Sequence, residues 1–424
     1  MKSITAQSTA AILVTLVCAI PLTRAAAQMD RDPLAWMEQK VTASDGTQNS
    51  YFGSATALDG ATALIGADGE NSFQGAAYIF TESNGDWQQT QRLMAKTGQA
   101  GDEFGYRTAL LGDTAVIGAF SATVNGNTSQ GAAYVFNKTK KKWREGQELT
   151  ANDGAVFDNF GAAVAISDDT IAVGANGATV GGNPAQGAVY VFNYANGIWS
   201  QTQKLTANDG ASYDNFGLSV ALDGSTILVG SPRATIGSHS AQGAVYVFTN
   251  SGGIWSLAQK LTSSDGAAND GVGQSVALEN NIALVGAYFA TVNSHSGQGA
   301  AYIFTRMNNV WSQTQKLTSS QGEADDYFGN TVALDGKTAL IGADGSTVGS
   351  NTDQGKAYLF AEKHGNWKQS HIFTASDGVQ DDFFGAALAL DNGTALVSTP
   401  HPTIDGNTYQ GAGYFFEQSA GGLP

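Results

Sequence analysis

The chain has 424 residues, 37 of them acidic and 21 basic, for a formal charge of −16; only 14% are charged and 53 are glycine. A surface this acidic argues against nucleic acid and anionic membranes as partners. Charged content well below the roughly one quarter of ordinary domains, with aromatic and aliphatic residues returning on schedule, excludes disorder and points to a turn-rich all-β protein.

Lys2 precedes an apolar run from Ala10 to Ile20, and Ala25-Ala26-Ala27 offers small residues for cleavage. That run is too short to span a bilayer, so residues 1–27 read as a secretory signal peptide, and the protein is expected to be secreted, periplasmic or on the cell surface. Without that segment 19 basic and 37 acidic residues remain, a charge of −18. The single cysteine, Cys18, goes with it, so stability has to come from burial and hydrogen bonding without disulfides. No later stretch approaches a membrane span.

Residues 28–418 carry one pattern seven times, at a 56-residue interval from Phe104 onward, and 419–424 form a short tail. Phe-Gly stands at Phe52-Gly53, Phe104-Gly105, Phe160-Gly161, Phe216-Gly217, Phe328-Gly329 and Phe384-Gly385, with Val272-Gly273 in the fifth copy. Gln-Gly recurs from Gln74-Gly75 to Gln410-Gly411. Such periods are a signature of propellers and solenoids.

Within the fourth copy, Phe216 to Leu222 (FGLSVAL) reads as a first strand ending in the Asp223-Gly224-Ser225 turn. Thr226 to Ser231 (TILVGS) is short and apolar throughout, a strand buried on both faces. A loop from Pro232 to Gln242 leads to a third strand, Gly243 to Thr249 (GAVYVFT). After a Gly-rich turn, Ile254 to Thr262 gives a more polar fourth strand. Four strands graded from apolar to polar describe one propeller blade from axis to rim.

The phase of the copies predicts how the ring closes. Outer strands open at Trp36, Trp87, Trp143, Trp199, Trp255, Trp311 and Trp367, and the first lies ahead of the first Phe-Gly. After Gln410-Gly411 only one strand remains. Trp36 to Thr42 must therefore supply the fourth strand of the seventh blade. The expected fold is all-β: a seven-bladed β-propeller of four-stranded antiparallel blades, closed by the N-terminal strand pairing with the C-terminal blade.

These residues resemble the FG-GAP repeat, the blade unit of the integrin α-subunit propeller and of many secreted bacterial proteins. The second half of the motif survives as Gly66-Ala67-Asp68, Gly118-Ala119-Phe120, Gly174-Ala175-Asn176, Gly230-Ser231-Pro232, Gly286-Ala287-Tyr288, Gly342-Ala343-Asp344 and Ser398-Thr399-Pro400. The resemblance implies a binding or adhesion role. In such blades the Phe is expected to wedge against the neighbouring blade, more weakly at Val272. The calcium loops of integrin-type blades need several convergent oxygens. Turns such as Asp59-Gly60 and Asp223-Gly224 are too short for that, so no metal and no cofactor is expected.

A second acidic pattern, Asp-Gly-x-x-x-Asp, precedes Phe-Gly at Asp153 and Asp158, Asp209 and Asp214, Asp265 and Asp270, and Asp377 and Asp382. It reads as turn chemistry, with a carboxylate-lined site as the alternative. The long loops between second and third strands share a Thr-Val or Thr-Ile frame, and just ahead of it two positions vary from copy to copy. A fixed frame carrying variable aromatic and charged residues is one way to build a binding face. It nominates Phe120, Arg233, Tyr288, Phe289 and His401 as ligand-binding residues.

No nucleophile elbow, zinc-binding His pair or phosphate-binding loop is present, so no catalytic residue is nominated. His239 and His295 occupy equivalent loop positions, which points to shared descent of the repeat. The expected function is a secreted or cell-surface binding module, a monomer with a protein or glycan ligand. The alternatives are a propeller hydrolase or lyase acting on polysaccharide, and a lectin-like binder using the outer-strand Trp residues.

Overall fold

A computed structural model describes residues 36–418; the signal peptide expected at 1–27 and the tail expected at 419–424 lie outside the described residues. Seven antiparallel sheets of four strands surround a central channel. Blade 3 shows the plan: Phe160–Ser167, Thr170–Ala175, Ala188–Ala195 and Ile198–Leu205, each pairing with the next in sequence. Second and third strands are buried almost throughout, while the fourth alternates. That gradient is the one the sequence carries from apolar run to polar strand.

The closing blade mixes the two ends of the chain. Its order is Trp36–Val41, Ala412–Gln418, Thr394–Thr399, Leu388–Asp391. Trp36 lies opposite Gln418 and Val41 opposite Gly413. Lys40 Nζ reaches Asp377 Oδ2 at 2.5 Å, and Ser376 Oγ donates to Glu38 Oε1 at 2.7 Å. The closing blade therefore has four strands, like the other six.

The fourth blade's first strand starts later than the sequence pattern suggests, at Ser219, and runs to Asp223. Phe216-Gly217 belongs to the seam instead of the ladder. Gly217 sits at φ +90°, and Phe216 N–H donates to Gln186 O of the preceding blade at 2.9 Å. Blade 3 keeps Phe160 in the strand, with a register break between Phe160 and Ala163.

The repeated glycines are explained by backbone crossings between blades. A Cβ on Gly187 would stand 1.9 Å from Phe216 O, and one on Gly174 would stand 2.0 Å from Gly217 O. Only hydrogen fits at either place. At the closing seam Ser398 replaces the second of these glycines, and its Oγ donates to Gly53 O at 2.6 Å. The imperfect Ser398-Thr399-Pro400 copy is therefore adapted to its neighbour by a hydrogen bond.

The Phe of each Phe-Gly packs in the core between two blades, and its ring contacts lie within its own blade. Phe216 meets Tyr246 at 5.4 Å and Phe248 at 6.1 Å between ring centroids. Residues of the preceding blade, Val189, Val191 and Leu205, share that core. Val272 is fully buried in the equivalent place beside Tyr302 and Phe304.

Further out, a glutamine of each outer strand clamps the Trp of the next. Gln203 Nε2 donates to Trp255 O at 2.6 Å, and Trp255 N–H donates back to Gln203 Oε1 at 2.9 Å. The same clamp joins Gln39 to Trp87, Gln91 to Trp143, Gln147 to Trp199, Gln259 to Trp311 and Gln315 to Trp367. At the last seam His371 takes the glutamine's place, its ring 5.9 Å from that of Trp36. Every Trp but Trp36 is buried, so these six indoles are packing elements and offer no platform to a sugar.

Candidate functional site

An up-and-down blade sends its two tight hairpins to one face and its two longer loops to the other. On the hairpin face the turn carboxylates serve as acceptors for neighbouring turns. Asp59 Oδ2 accepts Gly112 N–H at 2.5 Å, Asp391 Oδ2 accepts Gly60 N–H at 2.6 Å, and Asp223 Oδ2 accepts Asn280 N–H at 2.5 Å. Among the described residues no group of three or more His, Cys, Asp or Glu is placed to hold a metal ion. No helix among them is long and apolar enough to cross a membrane.

The loop face is built on a scaffold that consumes most of its acidic residues. The second Asp of each Asp-Gly-x-x-x-Asp turn accepts a backbone N–H three residues earlier: Asp158 from Ala155 at 2.8 Å, Asp214 from Ala211 at 2.9 Å, Asp270 from Ala267 at 2.7 Å. The first Asp binds a tyrosine and a lysine of its own blade. Asp209 Oδ1 accepts Tyr246 O–H and Asp209 Oδ2 accepts Lys260 Nζ, both at 2.8 Å. Burial opposes ionisation of Asp209, but the bonds from Lys260 and Tyr246 outweigh it and hold the carboxyl below its ordinary range. Turn chemistry thus accounts for the pattern.

The two loop histidines are equally structural. Asn127 and Asn183 donate through Nδ2 to Gln130 and Gln186 at 2.9 and 3.0 Å. At the same position in blade 4, His239 Nδ1 lies 3.0 Å from Gln242 Oε1, and in blade 5 His295 Nδ1 lies 3.1 Å from Gly322 O.

One variable position escapes notice in the sequence. The residue just before each Phe, or before Val272, is Tyr51, Glu103, Asn159, Asn215, Gly271, Tyr327 and Phe383 in turn, and all seven have φ between +50° and +69°. Such a backbone is unfavourable for bulky side chains such as Tyr51, Tyr327 and Phe383. It is held because each backbone N–H donates to the loop of the preceding blade, as from Tyr327 to Gly297 O at 3.0 Å and from Phe383 to Asp353 O at 2.9 Å. The available signal was the variability of this position inside an otherwise repeated Asp-x-Phe-Gly phrase.

These side chains and the variable loop pairs meet on the loop face in separate clusters. Where blade 7 meets blade 1, His401 lies between Phe383 at 4.8 Å, Tyr409 at 5.1 Å and Tyr51 at 5.8 Å. Burial lowers the His401 pKa against the opposing charge of Asp381, which favours the neutral ring. In blade 2, Phe120 packs on Tyr106 at 4.1 Å, and the Arg107 guanidinium covers the Tyr106 ring at 4.3 Å. In blade 5, Tyr288 and Phe289 lie 4.1 Å apart, and Tyr327 meets Phe289 edge-on at 5.4 Å.

Of the five nominated residues, Arg233, Tyr288 and Phe289 line one open cavity of about 820 Å³ between blades 4 and 5. Phe120 and His401 belong to other clusters of the same face. The axial channel, about 350 Å³, is lined by first-strand residues such as Ser54, Arg107 and Ser275, and by Thr331 just ahead of the strand in blade 6.

Beside this channel lie two perturbed carboxyls. Burial pushes Asp68 up to about 6 against the opposing influence of Ser54 and Arg107. Burial likewise pushes Asp344 up to about 6 against the hydrogen bond from Asn330 Nδ2, 2.9 Å from Asp344 Oδ2. Asp344 is partly exposed as a residue, but its Oδ1 is sealed off and has no partner among the described residues. The native state therefore keeps protons that the unfolded chain releases near pH 4, so these groups lose stability as pH rises from about 4 through 6. Asp344→Asn is expected to raise the melting temperature at about pH 8 and to leave it nearly unchanged at about pH 4. A pH series of thermal melts with a constant difference would refute this.

Comparison with curated proteins finds no match. The FG-GAP repeat profile, in contrast, matches residues 36–80, 87–136, 143–192, 199–248, 255–304, 311–360 and 367–416. Each match starts at an outer-strand Trp and ends on the third strand of the next blade, so the seven units fit the chain only in the phase that needs Trp36 for closure. With most of its length matched in seven consecutive units, this chain belongs to the FG-GAP repeat family.

Proposed function

We propose that the protein is a binding or adhesion module, secreted or held at the cell surface, that engages a protein or glycan through its loop face. The single observation carrying this reading is the division of labour between the faces. On the hairpin face Asp59, Asp223, Glu279 and Asp391 are tied into hydrogen bonds between neighbouring turns, whereas the loop face displays side chains that differ from blade to blade on one repeated frame. Exposed aromatic residues gather there: Phe157 at 62%, Tyr213 at 61% and Tyr409 at 44%. Aromatic and arginine side chains on a rigid support are the usual carriers of binding energy. An N-terminal signal peptide over residues 1–27 fits a module that works outside the cytoplasm.

The test is retention on arrays of extracellular proteins and glycans, comparing the native protein with two sets of variants. Arg233→Ala and Tyr288→Ala on the loop face should each weaken retention at least tenfold, while Lys141→Ala in a hairpin turn should not change it. Equal behaviour of both sets would overturn the reading. Release of polysaccharide fragments that disappears in Asp68→Asn would move the assignment to a hydrolase or lyase working at the two proton-holding carboxyls.

A further inference from the structure

The cavity between blades 4 and 5 lies at one departure from the repeat. Six blades carry a side chain at the left-handed position before the first strand, and blade 5 carries Gly271. A Cβ there would stand 2.8 Å from Tyr288 Cε1. Tyr288 therefore occupies space that a side chain fills elsewhere, and the cavity opens beside it with a volume of about 820 Å³. Cavities of this size hold small-molecule ligands or one to two units of a polymer.

The lining has a definite chemistry. Arg233 is its sole charged residue; it is exposed and makes no ion pair or hydrogen bond with another described residue. The amides of Asn215, Asn269 and Gln274 border the space with Tyr288 and Phe289; Asn215 Nδ2 donates one hydrogen to Asn176 O at 3.3 Å and Gln274 Nε2 one to Asn330 Oδ1 at 3.4 Å, which leaves each a second N–H and its oxygen. Phe289 is 43% exposed, yet its ring is fixed by Tyr288 on one side and by the edge contact with Tyr327. The backbone of the lining is already committed. Asn215 N–H donates to Ala185 O, Gly271 N–H to Ala241 O and Phe289 N–H to Asp270 O. A peptide strand would find no ladder to join, so recognition falls to side-chain amides, a ring face and one guanidinium.

We propose that this cavity binds a single carboxylate-bearing sugar unit of a glycan, which deepens the binding role argued above and rests on it. The Arg233 fork takes the carboxylate, the amides take ring hydroxyls as donors and acceptors, and the Phe289 face packs against the apolar C–H side of the sugar. With a chain charge of −16 and one arginine in the lining, the site suits one carboxylate at a time and disfavours a dense polyanion.

Titration calorimetry of the purified protein tests this with four probes: a disaccharide ending in glucuronate or galacturonate, its methyl ester, the uncharged disaccharide, and an acetylated aspartyl dipeptide. The acidic sugar should bind, with the ester and the uncharged sugar at least tenfold weaker and the dipeptide weaker still. Arg233→Gln and Phe289→Ala should each cost about tenfold. Gly271→Asn introduces the residue that blades 3 and 4 carry at this φ, and it should abolish binding with the thermal melt unchanged. No binding of either acidic sugar, equal binding of the uncharged one, tighter binding of the dipeptide, or full binding by Gly271→Asn would each overturn the proposal. An array partner retained by Gly271→Asn but lost on Tyr51→Ala would overturn the cavity and leave the loop-face reading standing.

Discussion

Removal of residues 28–43 is expected to abolish the single cooperative thermal transition and to make the protein aggregate on heating. The deletion takes away a whole strand with its six register pairs to 413–418. It also removes the Gln39 clamp on Trp87, the Lys40–Asp377 ion pair and the Glu38–Ser376 bond. What remains is a three-stranded seventh blade with Ala412–Gln418 as an open edge. Phe415, stacked at 4.1 Å on Trp87, would lose the strand that borders it. An unpaired apolar edge invites pairing with another chain. Each blade is stabilised mainly by its neighbours, so opening one seam should uncouple the ring and broaden the melt. Calorimetry and light scattering during heating would check this, and an unchanged sharp melt would refute closure by this strand.

Gly187→Ala should cost more than about 3 kcal/mol, an exceptional loss for the addition of one methyl group. Two effects combine there. The backbone lies at φ +91°, which costs an L-residue roughly 1–2 kcal/mol. The new Cβ would also meet Phe216 O at 1.9 Å, and that oxygen belongs to the backbone of the next blade. Neither partner can rotate away. Gly197→Ala separates the terms, since it has φ +86° with nothing within 4 Å of the added atom. Chemical denaturation of the two variants should show Gly187→Ala losing at least twice as much; equal losses would mean that the seam can relax around the crossing.

The ring was legible because a repeat multiplies every weak signal by seven. Strand count, blade order and the latch at Trp36 all follow from phase, which is a property of position and needs no knowledge of side-chain packing. The start of the fourth blade's first strand was less legible, because Phe216-Gly217 has strand-like composition but is drawn against Gly174 and Gly187 of the preceding blade, with Gly217 at φ +90°. The loop face was half legible. Varying pairs in a fixed frame nominated Arg233, Tyr288 and Phe289, and their convergence on one cavity came from packing across a seam. Gly271 drew no attention in the sequence because what it contributes is room for the Tyr288 ring, and Tyr51, Tyr327 and Phe383 were hidden by a backbone conformation that aromatic residues seldom adopt.

The antiparallel pairing of Trp36 with Gln418 also fixes how the molecule can be presented. Trp36 begins an outer strand and Gln418 ends a third strand, and both of those ends lie on the side of the tight hairpins. Trp36 and Gln418 therefore stand side by side on the face opposite the variable loops. A tether attached at that place, to a bead or a sensor chip, would leave the loop face pointing outward.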